Sequence, residues 1–146
     1  MPRLIRSLTR LRPWHLALAL RIWGTFLVLL IQVRRRPLPH VVDALNTTPA
    51  AVSRRVPPRR LSRTSYRLLR FGPYRPRCLY RALVLFRLLR SQGDHPVLVI
   101  GLPQDATGKD AHAWVELDGR DVGPPPGQAG HAPLVRYPLS AEQPIS

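Results

Sequence analysis

A chain of 146 residues, 45% of them hydrophobic, is long enough and apolar enough to bury the core of one compact domain, which excludes wholesale disorder. A single cysteine excludes an intramolecular disulfide framework and a cysteine-rich zinc module. The formal charge is +15, but 22 of the 23 basic residues are Arg, a usage that points to coding bias and weakens the charge as evidence for nucleic acid. The charge is also lopsided: residues 1–90 carry +19 and residues 91–146 carry −4. The first part therefore faces something acidic, while the second does different work.

In chain order, a basic segment ends at Pro13 and an apolar run follows over 14–33, with Arg21 as its one fixed charge and Arg34, Arg35 and Arg36 behind it. A helix of 20 residues at about 1.5 Å rise could just cross a hydrocarbon core. Arg21 near its middle opposes insertion, basic residues flank both ends, and no small-residue cleavage site follows. A buried or interfacial helix is the favoured reading, with a span or peripheral anchor as the alternative. Prolines at 37, 39, 49, 57 and 58 divide the next stretch, which has room for one helix between 40 and 56. A short helix is expected over 62–71, broken by Gly72, Pro73 and Pro76.

Residues 78–90 read as a helix, with Leu79, Ala82, Leu83, Phe86 and Leu89 on one stripe bracketed by Arg81, Arg87 and Arg90. Gly93 is its expected C-terminal stop. Val97 to Leu102 is a β-rich run, and residues 111–117 alternate as a second strand closed by Asp118-Gly119, a strong hairpin signal. Arg120, Asp121 and Val122 begin the return strand. Residues 123–133 are rich in Gly and Pro and read as loop, and 134–146 as a loosely held tail.

The order of a Cys at a helix start, then the helix, a strand, and a His opening the next strand suits nucleophilic catalysis. A helix N-terminus favours the thiolate and leaves backbone N–H groups unspent for an oxyanion. His112 lies 34 residues after Cys78, far enough for the chain to fold back and bring the two together. Trp114, two residues on, shares the strand face of His112 and is expected to pack beside it. Glu116 shares that face too and is expected to be solvated. His15, His40 and His95 have no chemical context, and His131 falls in the loop-rich end and is not read as catalytic. There is no Walker-type phosphate loop and no clustered metal-ligand set, so no cofactor is evident, and ATP dependence is not readable from the chain.

The strings Cys78-Leu79-Tyr80-Arg81-Ala82-Leu83, Val99-Ile100-Gly101-Leu102 and Ala111-His112-Ala113-Trp114-Val115-Glu116-Leu117-Asp118-Gly119 resemble the transglutaminase-like cysteine protease domain of lasso-peptide biosynthesis. The likeness is to the stand-alone leader peptidase of split systems, where leader recognition belongs to a separate small protein, and it spans residues 61–123. It implies an α+β, papain/transglutaminase-like fold, a nucleophile helix on a small antiparallel sheet, here with a basic helical extension over 1–60 and a Pro/Gly-rich loop and tail over 124–146. It also implies a Cys-His-Asp triad, with Cys78 as nucleophile and His112 as general base. The family's Asp stands on the strand after the Asp-Gly turn, where this chain has Gly123, Pro124 and Pro125. If Leu117 pairs with Arg120, Asp121 faces Glu116, four residues or roughly 13 Å along the strand from His112. Asp121 is still the best candidate for the third member, because it lies on the return strand; a backbone carbonyl, a Cys-His dyad or a weakened enzyme are the alternatives.

The resemblance implies a cytoplasmic cysteine peptidase that removes the leader of a lasso-peptide precursor. It would act with a separate leader-recognition protein and hand the core to a macrocyclase. A membrane-surface contact through residues 1–36 is kept alongside. Three other readings compete: a non-enzymatic basic module binding nucleic acid or anionic membrane, an acyl transferase, and an inactive scaffold. Nucleic acid is the less favoured partner, because such a module gives no reason for the His-Ala-Trp-Val-Glu string.

Overall fold

The computed structural model describes residues 12–51, 54–70, 77–105, 111–123 and 130–138. The basic segment before Arg12, the breaker at Gly72, Pro73 and Pro76, Lys109, Pro124 to Pro126 and the last eight residues lie outside them. Among the described residues four helices come first: α1 (Pro13–Arg35), α2 (Leu38–Asn46), α3 (Pro58–Leu69) and α4 (Cys78–Ser91). Four strands follow among the described residues: β1 (Val97–Pro103), β2 (His112–Leu117), β3 (Arg120–Asp121) and β4 (His131–Tyr137). They form one antiparallel sheet in the order β3-β2-β1-β4. This is the expected α+β arrangement.

Proline sets the helix starts. Pro13 and Pro58 each stand in the first turn of their helix, where a missing N–H removes no hydrogen bond. The ends are equally local: Gly93 takes φ +87° behind α4, as a helix stop requires. Asp118 and Gly119 have φ values of 52° and 74°, the two left-handed residues of a tight hairpin turn, so Leu117 pairs with Arg120 and Glu116 with Asp121 as expected.

α4 is the centre of the molecule. Ala82 to Phe86, Leu88 and Leu89 are buried, so the helix is enclosed on more than the one stripe that the sequence suggests. α1, α2 and α3 pack on it, and β1 and β2 cover its other side. One cluster of buried side chains runs from Ile22 on α1 through Val42, Leu61, Leu83 and Phe86 to Leu98, Val115 and Val122. The core therefore does not break near residue 60: the basic extension and the part beyond it share one interior. The connector before α3 is tied down by polar contacts. Gln92 accepts from the Val56 N–H (2.8 Å) and donates to the Val56 carbonyl (3.1 Å), and Arg55 pairs with the buried Asp94.

α1 resolves into two faces. Ile22, Phe26 and Leu29 are at most 2% exposed against the core, whereas Leu16, Leu20, Leu27, Val28 and Ile31 are about half or more exposed on the opposite side. Arg21, its one internal charge, is half-buried; burial, with Arg87 of α4 nearby, lowers its pKa. By length and hydropathy α1 is capable of crossing a bilayer, yet one face of it is built into the core.

Residues 131–137 correct the reading of the end as loop and tail: they form β4, paired with β1 from Leu98↔Tyr137 to Pro103↔His131. β4 is an edge strand, which is why Pro133 is tolerated in it, and a bulge between Ile100 and Gly101 adjusts its register there. Gly101 is needed at that crossing. A Cβ on it would meet the Ala132 carbonyl at 2.6 Å and the Trp114 ring at 2.7 Å. Gly101→Ala is expected to destabilise the fold by about 1–3 kcal/mol, read as a lower denaturant midpoint. An unchanged midpoint would mean that the strands separate freely there.

Candidate active site

Cys78 opens α4. Its N-cap, Arg77, makes no side-chain cap; of the first-turn N–H groups, that of Tyr80 turns back on the Arg77 carbonyl (3.1 Å). The thiol is half-buried and its Sγ lies 3.9 Å from the Ala111 carbonyl oxygen, the residue immediately before His112. That contact is long and weak. Its value is positional: it sets the nucleophile helix against the first residue of β2. Cys78 and His112 line the same cavity of about 60 Å³, together with Arg81, Trp114, Tyr66 and Gly123. The fold thus brings together the two residues that the sequence reading paired.

His112 is half-buried, opposite Gly101 on β1. Its pKa is held below the ordinary histidine value, first by burial, then by His131 and Arg81, against a raising influence from Asp121. A neutral imidazole at neutral pH is the form that can accept a thiol proton. The ring stacks on Trp114 (centroids 6.4 Å apart, planes at 24°) and lies 5.0 Å from the His131 ring. Trp114 is only 3% exposed. It packs beside His112, as its spacing suggests.

Two features were not legible in the sequence. Glu116 is not solvated; it is 3% exposed, accepts a hydrogen bond from Trp114 Nε1 at 3.0 Å, and pairs with Arg136. The alternation of β2 correctly puts Trp114 and Glu116 on one face. On that face Glu116 meets Arg136 of β4, which stands opposite Val99, as Trp114 does from the other side. The second is His131, which β4 carries to within 6.5 Å of Trp114 as well as beside His112. Its only sequence signal is alternation around a proline, which demotes a strand.

Asp121 stays where the hairpin arithmetic puts it, opposite Glu116 rather than His112. One carboxylate oxygen accepts from the Gly123 N–H at 2.8 Å, and the residue does not line the cavity. Its charge nonetheless reaches His112 through space. Among the described residues, no group of three or more His, Cys, Asp or Glu is arranged to hold a metal ion.

A family model described as the transglutaminase-like superfamily matches residues 17–136. That range takes in α1 and β4 as well as the Cys and His segments. Neither a curated protein nor a solved structure was found to match.

Proposed function

Since this chain belongs to the transglutaminase-like superfamily, we propose that it is a cysteine peptidase that removes the leader from a lasso-type peptide precursor. It acts with a separate leader-recognition protein and releases the core to a macrocyclase. The observation that carries the chemistry is the shared cavity of Cys78 and His112 at the uncapped start of α4. The finer assignment, to leaders of that peptide class, rests on the sequence strings around Cys78 and His112.

In this reading His112 takes the thiol proton of Cys78 as the sulfur attacks the scissile carbonyl. First-turn N–H groups of α4 stabilise the oxyanion. The imidazolium then protonates the leaving amine, the acyl-thioester remains on Cys78, and water completes hydrolysis with His112 again as base. Asp121 offsets part of the cost of the imidazolium from a distance, and Trp114 fixes the plane of the ring. The deciding experiment is incubation of a lasso-type precursor with this protein, with and without a leader-recognition protein, followed by mass analysis. Hydrolysis gives separate leader and core. Acyl transfer or an unchanged precursor would overturn the reading.

The depressed pKa of His112 fixes a sign. The base is lost only when His112 is protonated, so the acidic limb of kcat/KM is expected below pH 6.5. Replacing His131 with Gln removes the second cause of the depression, so the limb is expected to move up, while burial, the larger cause, still holds it below the ordinary value. A wild-type limb at or above pH 6.5 would contradict a neutral His112.

A further inference from the structure

Among the described residues lining the cavity, Arg81 alone carries a fixed charge. It stands three residues after Cys78, on the same side of the first turns of α4. Its guanidinium lies 4.9 Å from the centre of the Tyr66 ring, another wall of the cavity. Its Nε is buried and has no hydrogen-bond partner among the described residues. The ion pairs found among the described residues, Arg55 with Asp94 and Arg136 with Glu116, do not involve it. A half-buried cation with an unspent donor is unfavourable by itself, and its planar fork is suited to a carboxylate. Its field also crosses the cavity to His112.

We infer that Arg81 is an anion-receiving subsite beside Cys78, taking an acidic side chain of the peptide next to the scissile carbonyl. This deepens the proposed function, because it presumes that Cys78 is the attacking atom. Tyr66 holds the guanidinium flat from one side, and the carboxylate completes its hydrogen bonding from the other. The subsite thus gives the cleft a preference for acidic over neutral or basic neighbours of the cleaved bond.

Cys78 is the only cysteine, so alkylation of the folded protein reads this one site. In both iodoacetate and iodoacetamide the Cys78 sulfur attacks the methylene carbon, a C–S bond forms and iodide leaves to solvent; the two reagents differ in a carboxylate against an amide. A change in thiolate fraction scales both rates alike, so their ratio isolates recognition of the anion. The iodoacetate-to-iodoacetamide ratio is expected to be about tenfold higher for the wild type than for Arg81→Gln, the size of one charge-assisted hydrogen bond. Arg81→Lys is expected to fall between them, and the wild-type ratio is expected to drop as salt is added. Equal ratios in wild type and Arg81→Gln overturn the subsite. If Arg81→Gln does not fold, the comparison of wild type with Arg81→Lys and the salt series decide: a ratio indifferent to both overturns it. The outcome is separable from proteolysis. A charge-dependent ratio without precursor cleavage leaves the subsite and removes the peptidase; cleavage with a charge-blind ratio does the reverse.

Discussion

Cys78→Ala is expected to lower leader hydrolysis by about 10⁴-fold or more, since removing the nucleophile of a thiol or hydroxyl enzyme leaves only binding and oxyanion stabilisation. The fold is expected to survive. Cys78 is half-buried at a helix start at the margin of the core, and its Sγ makes a long, weak polar contact with the Ala111 carbonyl, so the loss of stability is expected to stay within about 1 kcal/mol. His112→Asn is expected to match the activity loss, because the two act as a unit and the second deletion adds little to the first. The measurement is single-turnover cleavage of precursor beside a thermal unfolding midpoint. Full cleavage by folded Cys78→Ala would remove the thiol from the mechanism.

Glu116→Ala carries the largest expected effect on stability. The carboxylate is 3% exposed and serves two partners, Trp114 Nε1 and Arg136. Its removal leaves a buried indole N–H without an acceptor and a guanidinium without its counter-charge. Because the Arg136 side chain is 37% exposed, it can turn toward water, so the expected loss is about 2–3 kcal/mol, just under the range of about 3–5 kcal/mol for broken buried pairs. Glu116→Gln keeps an acceptor for Trp114 and is expected to lose about 1 kcal/mol. Denaturant midpoints check both. An Ala variant within about 0.5 kcal/mol of wild type would show that the pair contributes nothing net. Trp114 packs on His112, so the Ala variant is also expected to lower kcat more than it alters KM.

The contrast between Glu116 and Cys78 marks how far the sequence reading reached. Cys78 and His112 were legible because each sits at a boundary set by its own neighbours. Arg77-Cys78 begins an apolar helix, and Ala111-His112 begins an alternating strand ended by the Asp118-Gly119 turn. The register of that turn was legible too, since two left-handed residues leave one pairing, and it correctly kept Asp121 away from the strand position opposite His112. β4 was not legible. Its residues alternate weakly around Pro133, and only the free edge of β1 makes a strand of them.

By itself, then, the sequence determined the helix that carries the thiol, the strand that carries the imidazole, the tight hairpin between β2 and β3, and the exclusion of an intramolecular disulfide. All of these follow from periodicity, turn stereochemistry and residue counts, which act over a few neighbours. The tertiary structure decided which face of α1 is buried, that Glu116 is an inner rather than a solvated carboxylate, that His131 stands beside His112, and that Arg81 faces the cleft without a counter-ion among the described residues. Each of those depends on what packs across from the residue. Burial and the local field come from partners distant in sequence, and no window around Glu116 or Arg81 contains Arg136 or Tyr66.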